Sequence, residues 1–341
     1  MWNPNAYFER LYEEALAGHL RVSRESGRAE RKRQLKQTLR QAIGVFPENE
    51  PPFTPVLLER TDCGEYFRER VALSASPGLT FAAYVLIPKE AAGKLPAVLA
   101  IHGHGYGSRE IVGLLPDGSP DPGAPGIHRH FALQLVSRGM AVIAPDVLGF
   151  GERRFSEEAD KDPRKTSSCF RMATQLLLHG TTLTGLRTAE MLTAHDYIAG
   201  RDDIDPSRIG VMGFSGGGLL AFICAALDER LRAAVLAGFP NTFKSSIMAM
   251  SHCVDNYIPG LLRQAELPEW ISLIAPRPLF LESGSSDRIF PVDGFRQAAA
   301  DIRSYYEQEQ AEEQLIIDEF EGGHEISGRR SFDWLKNILS V

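Results

Sequence analysis

The stretch from Ile209 to Ala225 reads IGVMGFSGGGLLAFICA, and residues 213–217 within it form a G-x-S-x-G pentapeptide. The residues from Ile209 to Met212 predict a short buried strand, and the small and apolar residues from Gly217 onward predict a helix. In a strand–turn–helix of this kind the serine lies in a strained turn, and the flanking glycines allow neighbouring segments to approach closely. We therefore predict that Ser215 is a nucleophile, the alternative being an ordinary turn serine in a glycine-rich chain.

Composition limits the class of protein. The chain has 341 residues, enough for one large domain or two ordinary ones with a substantial core. Apolar residues make up 43% and charged residues 24%, which is typical of a soluble globular protein. Its 37 basic and 44 acidic residues give a net charge of -7, so nothing indicates binding to nucleic acid.

Two features bear on location. No apolar run approaches the roughly 20 residues that span a bilayer, and the first residues, MWNPN, lack the basic start and apolar stretch of a secretion signal. The four cysteines have no C-x-x-C spacing and do not require an oxidising compartment. We therefore expect a cytoplasmic protein without a membrane partner.

The N-terminal part of the chain predicts helices followed by strands. Apolar residues recur at intervals of four in residues 7–15 and 35–43, which indicates a helical extension over residues 1–50. A run of basic residues in the second helix is expected to form a solvated face rather than a partner site: Arg28, Arg31, Lys32, Arg33, Lys36 and Arg40. Strand-like runs in residues 56–87 then predict an antiparallel meander.

From Leu95 onward short apolar strands alternate with helices. The predicted strands are residues 97–101, 141–144, 209–212, 233–237, 279–281 and 315–317, and the predicted helices are residues 131–137, 183–198, 219–227, 295–306 and 331–339. Buried strands separated by helices predict an α/β fold with a mainly parallel sheet, here a catalytic domain over residues 51–341. Two long segments, residues 106–126 and 239–270, follow strand ends, where α/β sheets place ligands, and the second is expected to shape the substrate pocket.

A serine nucleophile requires a histidine base and a carboxylate that orients the base. Asp287 and His324 follow Ser215 in the chain, each in a loop just after a predicted strand, so that all three side chains could meet at one edge of the sheet. Glu282 and Asp293 compete with Asp287 for the carboxylate role, and Asp293 is more simply the acidic residue of a helix N-terminus. Of nine histidines, only His324 combines this order with a glycine-flanked loop after a late strand.

The oxyanion of an acyl-transfer intermediate requires backbone donors. The N–H of Gly216 follows the nucleophile directly, and the second donor should come from the His-Gly-His-Gly sequence after the strand at residues 97–101. We predict the N–H of His104, with that of Gly105 as the alternative. His102 is expected to stabilise the turn, because an H-x-H pair without a third ligand is a weak metal signal.

Five motifs in order resemble the α/β-hydrolase superfamily, most closely its dienelactone-hydrolase-like and acetyl xylan esterase-like branch. They are His102 to Gly105, Asp146 to Gly151, Gly213 to Gly218, Gly284 to Pro291, and Gly323 to Glu325. The resemblance covers about residues 95–339 and implies an ester hydrolase that needs no cofactor, with Ser215, Asp287 and His324 as its triad. Dienelactone hydrolases carry cysteine at the elbow, so the serine here favours carboxylesters.

The sequence thus predicts a serine carboxylester hydrolase that acts on a small or acetylated ester, without cofactor or metal, with Tyr106 and Phe214 as substrate contacts. A serine peptidase of the prolyl-oligopeptidase type shares the fold and the triad order, although this chain has no room for a large N-terminal propeller. A non-catalytic hydrolase-fold protein that binds a ligand or partner is the third reading. Homo-oligomerisation is left open.

Overall fold

The computed structural model describes residues 2–25, 27–44, 53–90 and 93–340. The chain begins with two helices, α1 (Asn5–Glu25) and α2 (Arg28–Ile43), followed by three strands, β1 (Val56–Asp62), β2 (Tyr66–Ser76) and β3 (Leu79–Pro88). The predicted boundary between residues 50 and 51 lies outside the described residues. The helical extension and the meander are otherwise as the sequence predicts.

Strands and helices alternate through the rest of the chain. In order they are β4 (Leu95–Ile101), α3 (Ser108–Ile111), α4 (Phe131–Val136), β5 (Ala141–Pro145), α5 (Cys169–Leu178), α6 (Leu183–Ala199), β6 (Ile204–Phe214), α7 (Gly216–Leu227), β7 (Ala233–Ala237), α8 (Leu267–Ile271), β8 (Leu279–Gly284), α9 (Val292–Gln308), β9 (Leu315–Phe320) and α10 (Ser331–Leu339). Every predicted strand and helix of this region is present. Helix α5 was not predicted from the sequence, and only Cys169 and Ala173 of its ten residues are fully buried.

One nine-stranded sheet organises the fold. Its strand order is β1-β2-β3-β5-β4-β6-β7-β8-β9. The pairs β1–β2, β2–β3 and β3–β5 are antiparallel, and the pairs from β5–β4 to β8–β9 are parallel. Because parallel strands point the same way, the loops after β6, β8 and β9 emerge at a common edge. This sheet and its flanking helices confirm the predicted α/β-hydrolase fold.

The sheet is covered on both faces. Alternate residues of β4 belong to two separate apolar clusters: Ala97, Leu99 and Ile101 to one, and Val98 and Ala100 to the other. Helices α2, α6, α7 and α9 contribute to the first cluster, and α3, α4 and α10 to the second. Burial of both faces explains why the strands are continuously apolar in sequence.

Helix α2 is part of the core. Its residues Leu35, Leu39 and Ile43 are buried in the same cluster as β4. On the same helix the guanidinium of Arg31 pairs with Glu269 of α8 at 2.8 Å, and both side chains are almost fully buried. The prediction of a solvated basic face is therefore wrong at this position, because the acidic partner lies 238 residues away along the chain.

We expect Arg31→Met to lower the free energy of unfolding by about 3–5 kcal/mol, because the carboxylate of Glu269 would be left buried and unpaired. Urea denaturation monitored by circular dichroism measures the change. The matched control is Arg33→Met on the same helix, whose side chain is 71% exposed. This control should change stability by no more than about 0.5 kcal/mol. Equal effects of the two substitutions would contradict a structural role for the buried pair.

Candidate active site

Ser215 occupies a strained turn between β6 and α7. Its backbone lies at φ 54° and ψ -119°, a conformation that non-glycine residues rarely adopt. The turn is held by a hydrogen bond of 2.9 Å from the N–H of Ser215 to the carbonyl oxygen of Ala237 at the end of β7. A side chain at Gly217 would overlap the carbonyl oxygen of Ile101 in β4, so only glycine permits this packing. The elbow predicted from the pentapeptide is present.

Asp287 and His324 are joined by a hydrogen bond. His324 Nδ1 lies 2.7 Å from Asp287 Oδ2, and the side chain of Asp287 is fully buried. The second carboxylate oxygen accepts hydrogen bonds from the backbone N–H groups of Ile289 (2.8 Å) and Phe290 (2.9 Å). The carboxylate is therefore fixed in orientation, and it holds the proton of the imidazole on Nδ1. The other ring nitrogen of His324, Nε2, takes no part in this hydrogen bond.

The two competing carboxylates have other roles. Glu282 at the end of β8 is buried and accepts hydrogen bonds of 2.8 Å from the Ser327 N–H and the Ser331 hydroxyl. Burial raises the pKa of Glu282 above its ordinary value. This carboxyl group thus braces the loop after His324. Asp293 is exposed in the first turn of α9 and lies 3.5 Å from Arg296.

The loop after β4 is braced by two histidines. His128 Nε2 accepts a hydrogen bond of 3.0 Å from the Gly103 N–H, and its Nδ1 contacts Glu110 Oε1 at 2.9 Å. The other oxygen of Glu110 accepts from the Tyr106 N–H at 3.1 Å. Although burial opposes it, the hydrogen bond from His128 holds the pKa of Glu110 below its ordinary value, so Glu110 acts as a carboxylate acceptor. This pair is not apparent from the sequence, because Glu110 lies in α3 and His128 lies 18 residues later, in the segment before α4.

His102 stabilises the same loop from the other side. Its Nδ1 donates to the carbonyl oxygen of Gly103 at 2.8 Å, and its Nε2 accepts from the Val147 N–H at 3.0 Å. Burial lowers the pKa of His102 to about 3, so the ring is neutral at ordinary pH. These contacts agree with the predicted turn-stabilising role.

The two backbone donors predicted from the sequence are free at this edge of the sheet. Within the described parts of the chain, neither the N–H of His104 nor that of Gly216 donates a hydrogen bond to another protein group. His104 and Gly216 line the same cavity as Ser215 and His324. The N–H of Gly103, by contrast, is occupied by His128. Both predicted oxyanion donors are therefore at the cavity.

The cavity at Ser215 has a volume of about 360 Å³. It is lined by His104, Ile127, Phe214, Ser215, Gly216, Ser251, His252, Cys253, Asn256, Ile289, Phe290 and His324. None of these described lining residues is a lysine, arginine, aspartate or glutamate. The segment from Ser251 to Asn256 belongs to the long insertion, which was predicted to shape the pocket.

The two predicted substrate contacts have different positions. Phe214 lines the cavity, and its ring lies 4.8 Å from that of His324 between centroids. Tyr106 instead lines a separate cavity with Arg109, Glu152 and Arg154. The structure therefore brings Phe214, but not Tyr106, together with Ser215.

Several cavity residues were not singled out from the sequence, among them Phe290, His252 and Asn256. Phe290 stacks on His324 with ring centroids 5.7 Å apart, and its place three residues after Asp287 could have indicated it. His252 and Asn256 lie in the weakly periodic insertion, where no sequence pattern sets the direction of a side chain. Their contribution follows only from the fold.

The described residues also bear on whether the chain has a metal site or a membrane span. These residues contain no group of three or more histidine, cysteine, aspartate or glutamate side chains that could hold a metal ion. No described helix combines the length and apolar character that crossing a bilayer requires.

We expect the stability contributed by neutral His102 to be complete above pH 6.5 and to be lost as the pH falls towards 3, because only the unfolded chain is protonated in that window. Between pH 7.5 and 5.0 the wild type should lose about 2 kcal/mol more unfolding free energy than His102→Gln. Urea denaturation at the two pH values measures this difference. The exposed His179→Gln should follow the wild type, and an unchanged slope in His102→Gln would rule out the assignment.

Solved structures share this fold. A "putative acetyl xylan esterase" from Bacteroides fragilis NCTC 9343 superposes with a TM-score of 0.72 at 20% identity, over 85% of this chain and 74% of that one. A glucuronoyl esterase from Solibacter usitatus superposes with a TM-score of 0.63 at 15% identity, over 90% of each chain. At these identities the similarity shows the fold alone.

Sequence comparison shows the family as well as the fold. A model described as the Abhydrolase family matches residues 23–314. "Putative hydrolase YtaP" of Bacillus subtilis (strain 168) is 30% identical over 289 residues, which cover 82% of this chain and 88% of that protein. Since the family model spans most of the residues that build the sheet and the elbow, the chain belongs to the α/β-hydrolase family.

Proposed function

We propose that this protein is a serine carboxylester hydrolase in which Ser215, His324 and Asp287 form the catalytic triad. The observation that carries the proposal is the 2.7 Å hydrogen bond between His324 and Asp287 at the cavity that also contains the strained Ser215. An oriented histidine beside a serine at an elbow is the arrangement that activates a hydroxyl for attack.

The proposed reaction has two steps. His324 Nε2 takes the proton of the Ser215 hydroxyl while Oγ forms a bond to the ester carbonyl carbon, and the protonated ring then donates to the departing alcohol oxygen as the ester C–O bond breaks. Water next loses a proton to His324 and attacks the acyl-enzyme, and Ser215 recovers its proton as the carboxylic acid leaves. Asp287 stabilises the imidazolium in both steps.

The tetrahedral intermediates carry an oxyanion that needs donors. The backbone N–H groups of Gly216 and His104 support this role, since both lie at the cavity without a protein acceptor in the described chain. The bracing of the loop by His128 and His102 would keep the His104 donor in place during the reaction. Preorganised donors of this kind contribute about 3–4 kcal/mol each to transition-state stabilisation.

The cavity favours a small, uncharged substrate. Its volume of about 360 Å³ suits a short acyl group and a small alcohol moiety, and its described lining carries no fixed cationic or anionic side chain. The structural neighbours described as acetyl xylan and glucuronoyl esterases support ester hydrolysis as the reaction type. We therefore propose a small or acetylated ester as the substrate.

The free state of the cysteines supports the proposal that the protein resides in a reducing compartment such as the cytoplasm. Cys63, Cys169, Cys224 and Cys253 are all free thiols. Cys253 lines the cavity, and Cys169 and Cys224 are buried. A cytoplasmic setting would keep these thiols reduced.

We expect Ser215→Ala to reduce hydrolysis of p-nitrophenyl acetate by about 10⁴-fold or more, because the nucleophile would be lost. The same substitution should abolish covalent labelling by a fluorophosphonate probe. Ser251→Ala, which removes the other serine of the same cavity, should still be labelled. Equal labelling of Ser215→Ala and the wild type would show that another residue reacts.

We expect Asp287→Asn to lower kcat for p-nitrophenyl acetate by about 10³–10⁴-fold, because an amide cannot hold His324 in the required tautomer or stabilise its cation. Steady-state kinetics at pH 8 measure the change. Asp293→Asn is the matched control, since Asp293 is the exposed competing carboxylate. A larger loss in Asp293→Asn than in Asp287→Asn would contradict the assignment of the triad.

A further inference from the structure

His252 lies beside the proposed catalytic residues. It lines the same cavity as Ser215 and belongs to the long insertion. Its ring contacts Phe290 with centroids 5.2 Å apart, and Phe290 stacks on His324 at 5.7 Å with an interplanar angle of 19°. One aromatic ring thus separates His252 from the proposed base. An ester bound in this cavity would therefore lie within reach of His252.

The backbone of His252 is fixed by a tyrosine. The N–H of His252 donates to the hydroxyl oxygen of Tyr257 at 3.2 Å, and that hydroxyl lies 3.3 Å from the carbonyl oxygen of Ile247. Tyr257 therefore ties both ends of the short loop that leads to His252. An anchored loop presents its imidazole in one place before a ligand binds.

The hydrogen bonds of His252 determine its tautomer. The hydroxyl of Ser246 donates to the carbonyl oxygen of Ile289 at 2.8 Å. Ser246 Oγ can then only accept from His252 Nε2, which lies 3.1 Å away. The proton of the neutral ring is therefore on Nε2, and Nδ1 carries a lone pair.

Two further facts make Nδ1 an available acceptor. Burial lowers the pKa of His252 below its ordinary value, so the neutral ring predominates near pH 7. In the described part of the chain, no group donates a hydrogen bond to Nδ1 of His252. A ligand that fills the cavity and removes water from this ring must supply a donor or leave the acceptor unpaired.

Asn256 adds a second acceptor to the same wall. Its Nδ2 donates to the Cys253 carbonyl oxygen and to Asp255 Oδ1, each at 3.1 Å, which fixes the orientation of the amide. Its Oδ1 is buried and has no partner among the residues described. The residue is 8% exposed and lines the cavity. Both amide hydrogens of Asn256 are thus taken by protein acceptors, and its buried Oδ1 is unpaired in the described chain.

We propose that His252 Nδ1 determines specificity by accepting a hydrogen bond from a free hydroxyl of the substrate. The preferred substrates are then esters that carry a hydroxyl group near the ester bond, such as monoesters of a diol or polyol. The inference rests on the proposed ester hydrolysis and names the substrate class of that site. A neutral hydrogen bond of this kind should give about a tenfold preference over an analogue without the hydroxyl.

A matched pair of esters tests the proposal. 2-Hydroxyethyl acetate and propyl acetate have the same shape and differ only by a hydroxyl in place of a methyl group. The kcat/KM ratio of the two esters, measured in a pH-stat at pH 7.5, should fall by about tenfold from wild type to His252→Phe, because phenylalanine keeps the ring but has no acceptor. Comparing ratios between proteins cancels the intrinsic reactivities of the esters.

Two further variants sharpen this test. His252→Asn should recover part of the preference, since an asparagine side-chain oxygen can occupy the place of Nδ1. This partial rescue would not be expected if the ring served only to pack against Phe290. His179→Phe is the matched control at an exposed position outside the cavity, and its ratio should equal that of the wild type.

The outcomes separate the two proposals. An unchanged ratio in His252→Phe overturns the role of His252 while ester hydrolysis stands. Hydrolysis of neither ester by the wild type, or equal hydrolysis by Ser215→Ala, overturns the proposed function itself and with it the specificity. A lower ratio in His252→Phe with partial recovery in His252→Asn supports the assignment.

Discussion

The positive φ angle at Ser215 is the constraint on which the proposed chemistry depends. A non-glycine residue in this region costs about 1–3 kcal/mol, which the surrounding structure must offset. Here the offset comes from the hydrogen bond to Ala237 and from the close packing of α7 on β4, which requires glycine at position 217. The same packing places the first N–H groups of α7 at the edge of the sheet where Asp287 and His324 emerge. The strained backbone of Ser215, the packing of α7 on β4 and the position of the candidate site therefore depend on one another.

Much of this arrangement could be predicted from the sequence, because it depends on local pattern and chain order. The elbow is recognisable since strand, turn and helix signals are contiguous around Ser215. His324 is recognisable since its loop follows the last strand. Local pattern and chain order do not by themselves decide which of Asp287, Glu282 and Asp293 is the carboxylate that orients the histidine. Each is an acidic residue near one strand end, and only the three-dimensional path shows that Asp287 meets the imidazole while Glu282 turns towards Ser331.

The failures of sequence reasoning also have physical causes. Arg31 resembles a surface residue because its neighbours in sequence are polar, and its buried partner Glu269 is remote along the chain. His252 could be identified as a histidine of the insertion, but its direction depends on hydrogen bonds to Ser246 and Tyr257, which no periodicity encodes. Sequence patterns therefore identify the groups proposed to act on the ester bond better than those proposed to select the ester.

The buried pair between α2 and α8 has a consequence for how such enzymes diverge. Glu269 lies at the end of the insertion whose earlier part, from Ser251 to Asn256, forms the cavity wall. Helix α2, which carries Arg31, thus supports the far end of a segment that lines the cavity at Ser215, although none of the described lining residues belongs to that helix. Loss of this support in a relative is expected to change which esters the proposed site accepts, without any change at the groups proposed to react. Substitutions within the core, and not only those at the cavity, are therefore expected to shift the proposed ester specificity.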